Sequence, residues 1–261
     1  MLPHHVTVGP PDAPALVLIH GFPFSLEQWR PQLDGLEDAW RVVAYDLRGH
    51  GRSATGPGPL FIEDLVDDLV ELLDHLGLES ACLGGLSMGG YIALRAVDRE
   101  PSRIHGLVLA DTKAGADDNA GRVKRAQAAK TVRAKGMSAF ADGLLPALFP
   151  KERLDPPTSA VREVRAMIEA TSPEGAALAL GAMASRLDLR ERLADIRVPT
   201  LVVVGEDDTL TPPAEAEALV AGIPDATLVR LDGAGHVSNL EAPDAFTDAL
   251  RAFLERMHPR A

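Results

Sequence analysis

"GGLSMGG", residues 84–90, surrounds one serine, Ser87, with four glycines. Such a stretch is either a loose surface loop or a backbone turn too tight for larger residues. The flanks bear on the choice. "ACLGG" (81–85) is a short apolar run of the kind a buried strand shows, and "MGGYIALRAVDRE" (88–100) has helical spacing and stops at Pro101. A strand that reverses directly into a helix forces the residue at the turn into strained dihedrals and crowds the positions two before and two after it. Gly85 and Gly89 lack Cβ and relieve that crowding. The turn would then project the Ser87 hydroxyl above the sheet, next to the first amides of the helix.

The same alternation extends in both directions. "ALVLIH" (15–20), "RVVAYD" (41–46), "IHGLVLAD" (104–111), "TLVVVG" (200–205) and "ATLVRLD" (226–232) read as strands, and the nearly continuous apolarity of the first suits burial on both faces. Leu65, Leu69, Leu72, Leu73 and Leu76 recur at helical spacing, with Asp64 placed to cap the start and Gly77 to end the helix. Further helices are expected over 212–222 and from about 243 to 257. Strands alternating with helices predict an α/β fold, a doubly wound and mostly parallel sheet. Residues 114–187 differ: they hold no strand candidate, and their helical runs are interrupted at Gly136, Gly143, Pro146 and Pro150. The expected organisation is a core formed by 1–113 and 188–261, with 114–187 as a helical insertion.

At 261 residues, 46% hydrophobic and 25% charged, the chain suits one large domain with an insertion. A net charge of −12 repels nucleic-acid phosphates and anionic lipid, so neither nucleic acid nor membrane is expected as a partner, and a small molecule is. One cysteine, Cys82, excludes an internal disulfide and reads as a small buried hydrophobe. "MLPHHVTVGP" has no signal-peptide pattern, and no apolar run approaches the roughly 20 residues of a spanning helix. The expected location is cytoplasmic.

A serine hydroxyl needs a base to become a nucleophile, and an imidazole base needs a carboxylate to fix its tautomer. Of eight histidines, His236 in "GAGHVSNLE" lies in a glycine-rich loop directly after a strand. "EDDTLTPP", after "TLVVVG", offers Glu206, Asp207 and Asp208. All three parts thus fall at strand ends, where open parallel sheets bind ligands. No two histidines have ligand spacing near a carboxylate, so no metal is expected.

With these segments in hand, the chain resembles the α/β-hydrolase superfamily over nearly its whole length. "HGFPFSLEQW" (20–29), "DLRGHGRS" (46–53), "GLSMGG" (85–90) and the pair "GEDDTLTP" with "GAGHVSNLE" carry the likeness, in the chain order Ser, Asp, His. Within the superfamily it is similar to small bacterial carboxylesterases and 3-oxoadipate enol-lactonase-like hydrolases with a helical cap, here 114–187.

The resemblance implies roles. Ser87 would be the nucleophile, His236 the general base and then acid, and Asp208 the orienting acid, since the family pattern puts it four residues before a proline, here Pro212. Asp207 is the second candidate, and Asp111 stands where some relatives keep the acid. The backbone amides of Phe22 and Met88 would form the oxyanion hole, with His20 bracing that loop and no cofactor required. His50 would stabilise its loop, and Asp46 and Arg48 would tie the turn after their strand. Dehalogenases and epoxide hydrolases of the superfamily carry an aspartate at the nucleophile position, so the serine argues against both.

The implied activity is hydrolysis of carboxylic esters of short to medium acyl chain. The alternatives are a 3-oxoadipate enol-lactonase-like activity, or a ligand-binding or signalling protein on a hydrolase scaffold. Met137, Phe140, Leu144 and Leu148, with Phe149, Met167 and Met183, are candidates for an apolar substrate pocket. Arg122, Lys124, Arg125, Lys130 and Arg133 would suit a substrate with a free carboxylate. Composition leaves the oligomeric state open.

Overall fold

The computed structural model describes residues 1–258. Its strands are β1 (His5–Val8), β2 (Ala15–Ile19), β3 (Arg41–Tyr45), β4 (Ala81–Leu86), β5 (Ile104–Ala110), β6 (Thr200–Gly205) and β7 (Ala226–Leu231). They form one sheet in the order β1-β3-β2-β4-β5-β6-β7. β1 is antiparallel to β3, and every other neighbouring pair is parallel. The doubly wound, mostly parallel sheet expected from the alternation is the fold observed. β1 itself was not anticipated: it is a four-residue edge strand whose side chains are mostly half-buried, so it carries little of the apolar signal of the central strands.

The helices are α1 (Arg30–Leu36), α2 (Ile62–His75), α3 (Met88–Arg99), α4 (Asn119–Leu148), α5 (Lys151–Leu154), α6 (Ser159–Ala170), α7 (Pro173–Ser185), α8 (Pro213–Gly222), α9 (Ser238–Glu241) and α10 (Pro243–Met257). All five residues of β2 are buried, and their side chains alternate between two cores. Val17 and Ile19 face α2, α3 and α8, whereas Leu16 and Leu18 face α1 and α10. Each such buried side chain contributes roughly 1.5–3 kcal/mol. Among the described residues no helix is long and apolar enough to cross a membrane.

Three local expectations need correction. α2 starts at Ile62, and the Asp64 carboxylate accepts the Phe61 backbone N–H at 2.8 Å, capping from within the first turn instead of preceding it. α4 runs through Gly143 and Pro146 and breaks only at Gly136, where φ is 77°. Burial of Ala141, Leu145 and Leu148 offsets the cost of Gly143, roughly 1 kcal/mol, and Pro146 falls in the last turn. Arg48 does not tie its own turn; it reaches across to Asp68 on α2, with its Nη2 donating at 2.6 Å. Asp46 does tie that turn, accepting from the backbone N–H of Leu26 and of Arg52, both at 2.8 Å.

What positions the site is the strand order. The chain passes from β2 outward to β3, then returns to place β4 on the other side of β2, so the loops after β2 and β4 diverge and leave a crevice at their carboxyl ends. Ser87 follows β4 and Gly21 follows β2. The close approach explains the glycines: a Cβ on Gly85 would lie 2.2 Å from the Gly89 carbonyl oxygen, and one on Gly89 would lie 2.1 Å from that of Ile19. Both obstacles are backbone atoms that cannot turn aside. Gly89→Ala is therefore expected to lower stability by at least about 2 kcal/mol, roughly 5 °C in Tm, with loss of activity. A thermal melt within about 1 °C of the parent would contradict this packing.

Candidate active site

Ser87 occupies the junction of β4 and α3 with φ 53° and ψ −111°. Such a conformation costs on the order of 1–3 kcal/mol and needs surroundings that enforce it. Here the Ser87 N–H donates to the Ala110 carbonyl at 2.9 Å. Its own carbonyl accepts from the Gly90 N–H at 3.0 Å and from Thr112 Oγ1 at 2.8 Å. The turn is tight and held from both neighbouring elements. Met88, the first residue of α3, presents a backbone N–H that has no acceptor within the helix.

His236 lies in the loop between β7 and α9 and is 3% exposed. Its Nε2 is 2.9 Å from Ser87 Oγ, and its Nδ1 is 2.8 Å from Asp208 Oδ2. Because a carboxylate only accepts, the proton sits on Nδ1, leaving Nε2 to accept from the serine hydroxyl. Asp208 also accepts the Leu210 N–H at 2.8 Å, the Thr211 N–H at 3.0 Å and the Thr211 hydroxyl at 2.6 Å. Burial disfavours the charged Asp208, but the charge and hydrogen bond of His236 and the Thr211 bonds outweigh it, and its pKa falls below the usual carboxylate range. Burial likewise disfavours a charged His236; Asp208, by charge and hydrogen bond, then Asp111 and Glu241, raise it above the ordinary 6.5.

The other acids are used differently. Asp207 is exposed, whereas Asp208 is buried. Asp111 accepts the Gly205 N–H at 2.9 Å and the Ser238 hydroxyl at 2.5 Å, linking the ends of β5 and β6 to the start of α9. Burial, reinforced by the charge of Asp208, pushes its carboxyl up to about 7. His20 is fully buried beneath the loop after β2, where its Nε2 accepts the Leu47 N–H at 2.9 Å. Its Nδ1–H therefore donates to the Gly21 carbonyl at 2.8 Å, and burial lowers the ring's pKa to about 4, keeping it neutral. His50 Nδ1 donates to the Arg48 carbonyl at 3.2 Å and stabilises its loop. Cys82 is fully buried, and burial pushes its thiol up.

Ser87 and His236 open on a cavity of about 320 Å³. Phe22, Phe140, Leu144, Leu148 and Met183 supply much of its apolar wall, with the Phe22 and Phe140 rings edge to face at 6.0 Å. Met137 does not reach it: the helix repeat turns this side chain into the interior, where it is 5% exposed. Phe149 and Met167 are likewise packed inside. α4 also holds the histidine loop directly, since the His236 backbone N–H donates to the Leu148 carbonyl at 2.8 Å.

Of the candidate cations, Lys124 and Arg125 line the cavity, joined by Lys113 and Tyr91, which the sequence reading missed. Arg125 is paired with Asp117, which also binds the buried Arg186 at 2.7 Å. Lys113 and Lys124 have no ion pair or side-chain hydrogen bond among the described residues. Arg133 is paired with Glu174 at 2.8 Å, away from the cavity. Arg122 and Lys130 also lie outside it. Two further cavities, of about 290 and 370 Å³, flank Leu193 and include neither Ser87 nor His236, so size alone does not identify the site.

A family model described as alpha/beta hydrolase fold matches residues 14–243. 3-Oxoadipate enol-lactonase 2 of Acinetobacter baylyi is 32% identical, over 98% of this chain and 94% of its own. A thermophilic esterase from Thermogutta terrifontis, solved with malate bound, superposes with a TM-score of 0.94 at 36% identity, covering 98% of this chain and 93% of its own. An enol-lactonase from Burkholderia xenovorans superposes with a TM-score of 0.89 at 35% identity, covering 96% and 95%.

Proposed function

The chain belongs to the alpha/beta hydrolase fold family and is a hydrolase of that fold, and from this premise we propose that it cleaves carboxylic esters of short to medium acyl chain through an acyl-enzyme intermediate. The observation carrying this reading is the unbroken hydrogen-bonded line from Asp208 through His236 to Ser87, ending in a largely apolar cavity.

The chemistry follows from the hydrogen positions. Ser87 Oγ attacks the ester carbonyl carbon while its proton passes to His236 Nε2. Asp208 keeps its bond to Nδ1–H and stabilises the imidazolium without taking the proton. The oxyanion is received by the Phe22 and Met88 amides, each such donor contributing roughly 10²- to 10³-fold. Collapse expels the alcohol with a proton from Nε2 and leaves the acyl group on Ser87. Water then gives a proton to His236 and attacks the acyl carbon; collapse breaks the bond to Ser87 Oγ, which takes that proton back from Nε2, and releases the acid. The helical segment 114–187 acts as a cap whose side chains select the substrate.

One observation favours a second reading. Lys113 and Lys124 line the cavity with no ion pair among the described residues, and a substrate carrying a carboxylate remote from the scissile bond, such as 3-oxoadipate enol-lactone, would find a cationic partner there. A panel of p-nitrophenyl acetate, butyrate and octanoate, compared with 3-oxoadipate enol-lactone, separates the two. The ester reading predicts the highest kcat/KM at butyrate and less than about a threefold effect of Lys113→Met on it, as expected for a charge that touches no neutral ester. A lactone kcat/KM exceeding every ester by more than about tenfold, and falling about tenfold in Lys113→Met, would replace it with the lactonase reading.

A further inference from the structure

β2 and β7 are not neighbours: β4, β5 and β6 separate them, roughly 19 Å at the spacing of a sheet. Yet the acyl transfer proposed above needs the amide after β2 to meet the oxyanion and the imidazole after β7 to meet Ser87 Oγ, two atoms on one tetrahedral centre, from fixed directions. A buried chain of amides closes that gap. Gln28, Gln32 and Asn239 are each fully buried, and Asn239 lies three residues beyond His236. The Gln28 Nε2 donates to Asn239 Oδ1 at 3.3 Å, and Asn239 Nδ2 donates back to the Gln28 backbone carbonyl at 2.8 Å and to Gln32 Oε1 at 3.0 Å. At the other end Gln28 Oε1 accepts the Gly21 N–H at 2.8 Å.

Gly21 is thus held on both sides. Its N–H is bound by Gln28, while its carbonyl accepts from His20 at 2.8 Å and from the Phe24 N–H at 3.0 Å. The Gly21 carbonyl and the Phe22 N–H belong to one planar peptide unit, held by His20 and Phe24, while Gln28 holds the preceding unit through the Gly21 N–H; with both units fixed, the direction of the Phe22 N–H is fixed. Buried amides add little net stability, because their hydrogen bonds replace those lost to water, whereas a satisfied buried network specifies one arrangement. We propose that Gln28 and Asn239 form a brace that sets the oxyanion loop in register with the His236 loop, with Gln28 the positioning residue for the Phe22 amide. This rests on the acyl-transfer reading, in which Phe22 N–H meets the oxyanion.

The test compares Gln28→Met with Gln32→Met. Both remove a buried amide from the same network, but only the first frees the Gly21 N–H. Oxyanion stabilisation acts in the transition state, so Gln28→Met should lower kcat about 10- to 30-fold with KM within about twofold, and weaken binding of butylboronic acid in parallel. Gln32→Met should lower Tm comparably while kcat changes less than about threefold, and adding Asn239→Leu to Gln28→Met should cost little more. If Gln28→Met does not fold, Asn239→Leu, which removes the acceptor that orients the Gln28 amide and that Gln32→Met leaves in place, must show the same split between kcat and KM. Equal kcat losses in Gln28→Met and Gln32→Met, or a KM effect without a kcat effect, would overturn the brace. No ester turnover and no labelling of Ser87 by a phosphonate in the parent protein would instead overturn the acyl-transfer reading, and the brace with it.

Discussion

Ser87→Ala should lower kcat/KM for p-nitrophenyl butyrate by on the order of 10⁵- to 10⁶-fold, the scale on which a serine triad depends on its nucleophile. The change removes one oxygen, the atom 2.9 Å from His236 Nε2, and leaves the strained turn held by the same backbone bonds. Circular dichroism and Tm should therefore stay close to the parent, separating lost chemistry from lost fold. His236→Ala should cost about as much, and combining the two should add little, because both belong to one chain of proton transfer. Retention of more than about a tenth of parental kcat/KM in Ser87→Ala is far outside what loss of a nucleophile permits.

The acid gives the second large effect and a discriminating ranking. Asp208→Asn preserves size but presents a group that no longer enforces the Nδ1–H tautomer, and a loss on the order of 10⁴-fold in kcat is expected. Asp207→Asn alters an exposed side chain and should stay within about threefold, as surface substitutions usually do. The pH profile provides an independent sign. His236 acts as a base only when neutral, and its pKa lies above 6.5, so parental kcat/KM falls as pH drops through that raised value. Asp208, by charge and hydrogen bond, is the main group opposing burial at His236, so in Asp208→Asn the residual acid limb should move to lower pH. A larger loss in Asp207→Asn, or an acid limb that moves to higher pH in Asp208→Asn, would reassign the acid.

Much of the central sheet was legible because its strands are buried on both faces and read as unbroken apolar runs. The pattern around Ser87 was legible for a steric reason: the backbone contacts at Gly85 and Gly89 exclude every residue with a Cβ. Asp208 precedes a turn in which backbone N–H groups bond its own carboxylate, a local arrangement that "DDTLT" permits. Other features depend on contacts that sequence spacing does not contain. Met137 and Phe140 are equally apolar, yet the kink at Gly136 and the helix repeat after it bury one and expose the other to the cavity. Lys113 follows β5 just outside the helical segment, where charge alone gives no direction. Gln28 and Asn239 are 211 residues apart, and either alone reads as an ordinary polar side chain.

The most direct measurement is stoichiometric labelling with a p-nitrophenyl alkylphosphonate, followed by peptide mapping. The proposed nucleophile predicts one phosphonyl group per chain, on Ser87, with release of p-nitrophenol and loss of esterase activity in step with labelling, and no adduct on Ser87→Ala. Labelling of another residue that tracks the loss of activity, or equal labelling of Ser87→Ala, would contradict it.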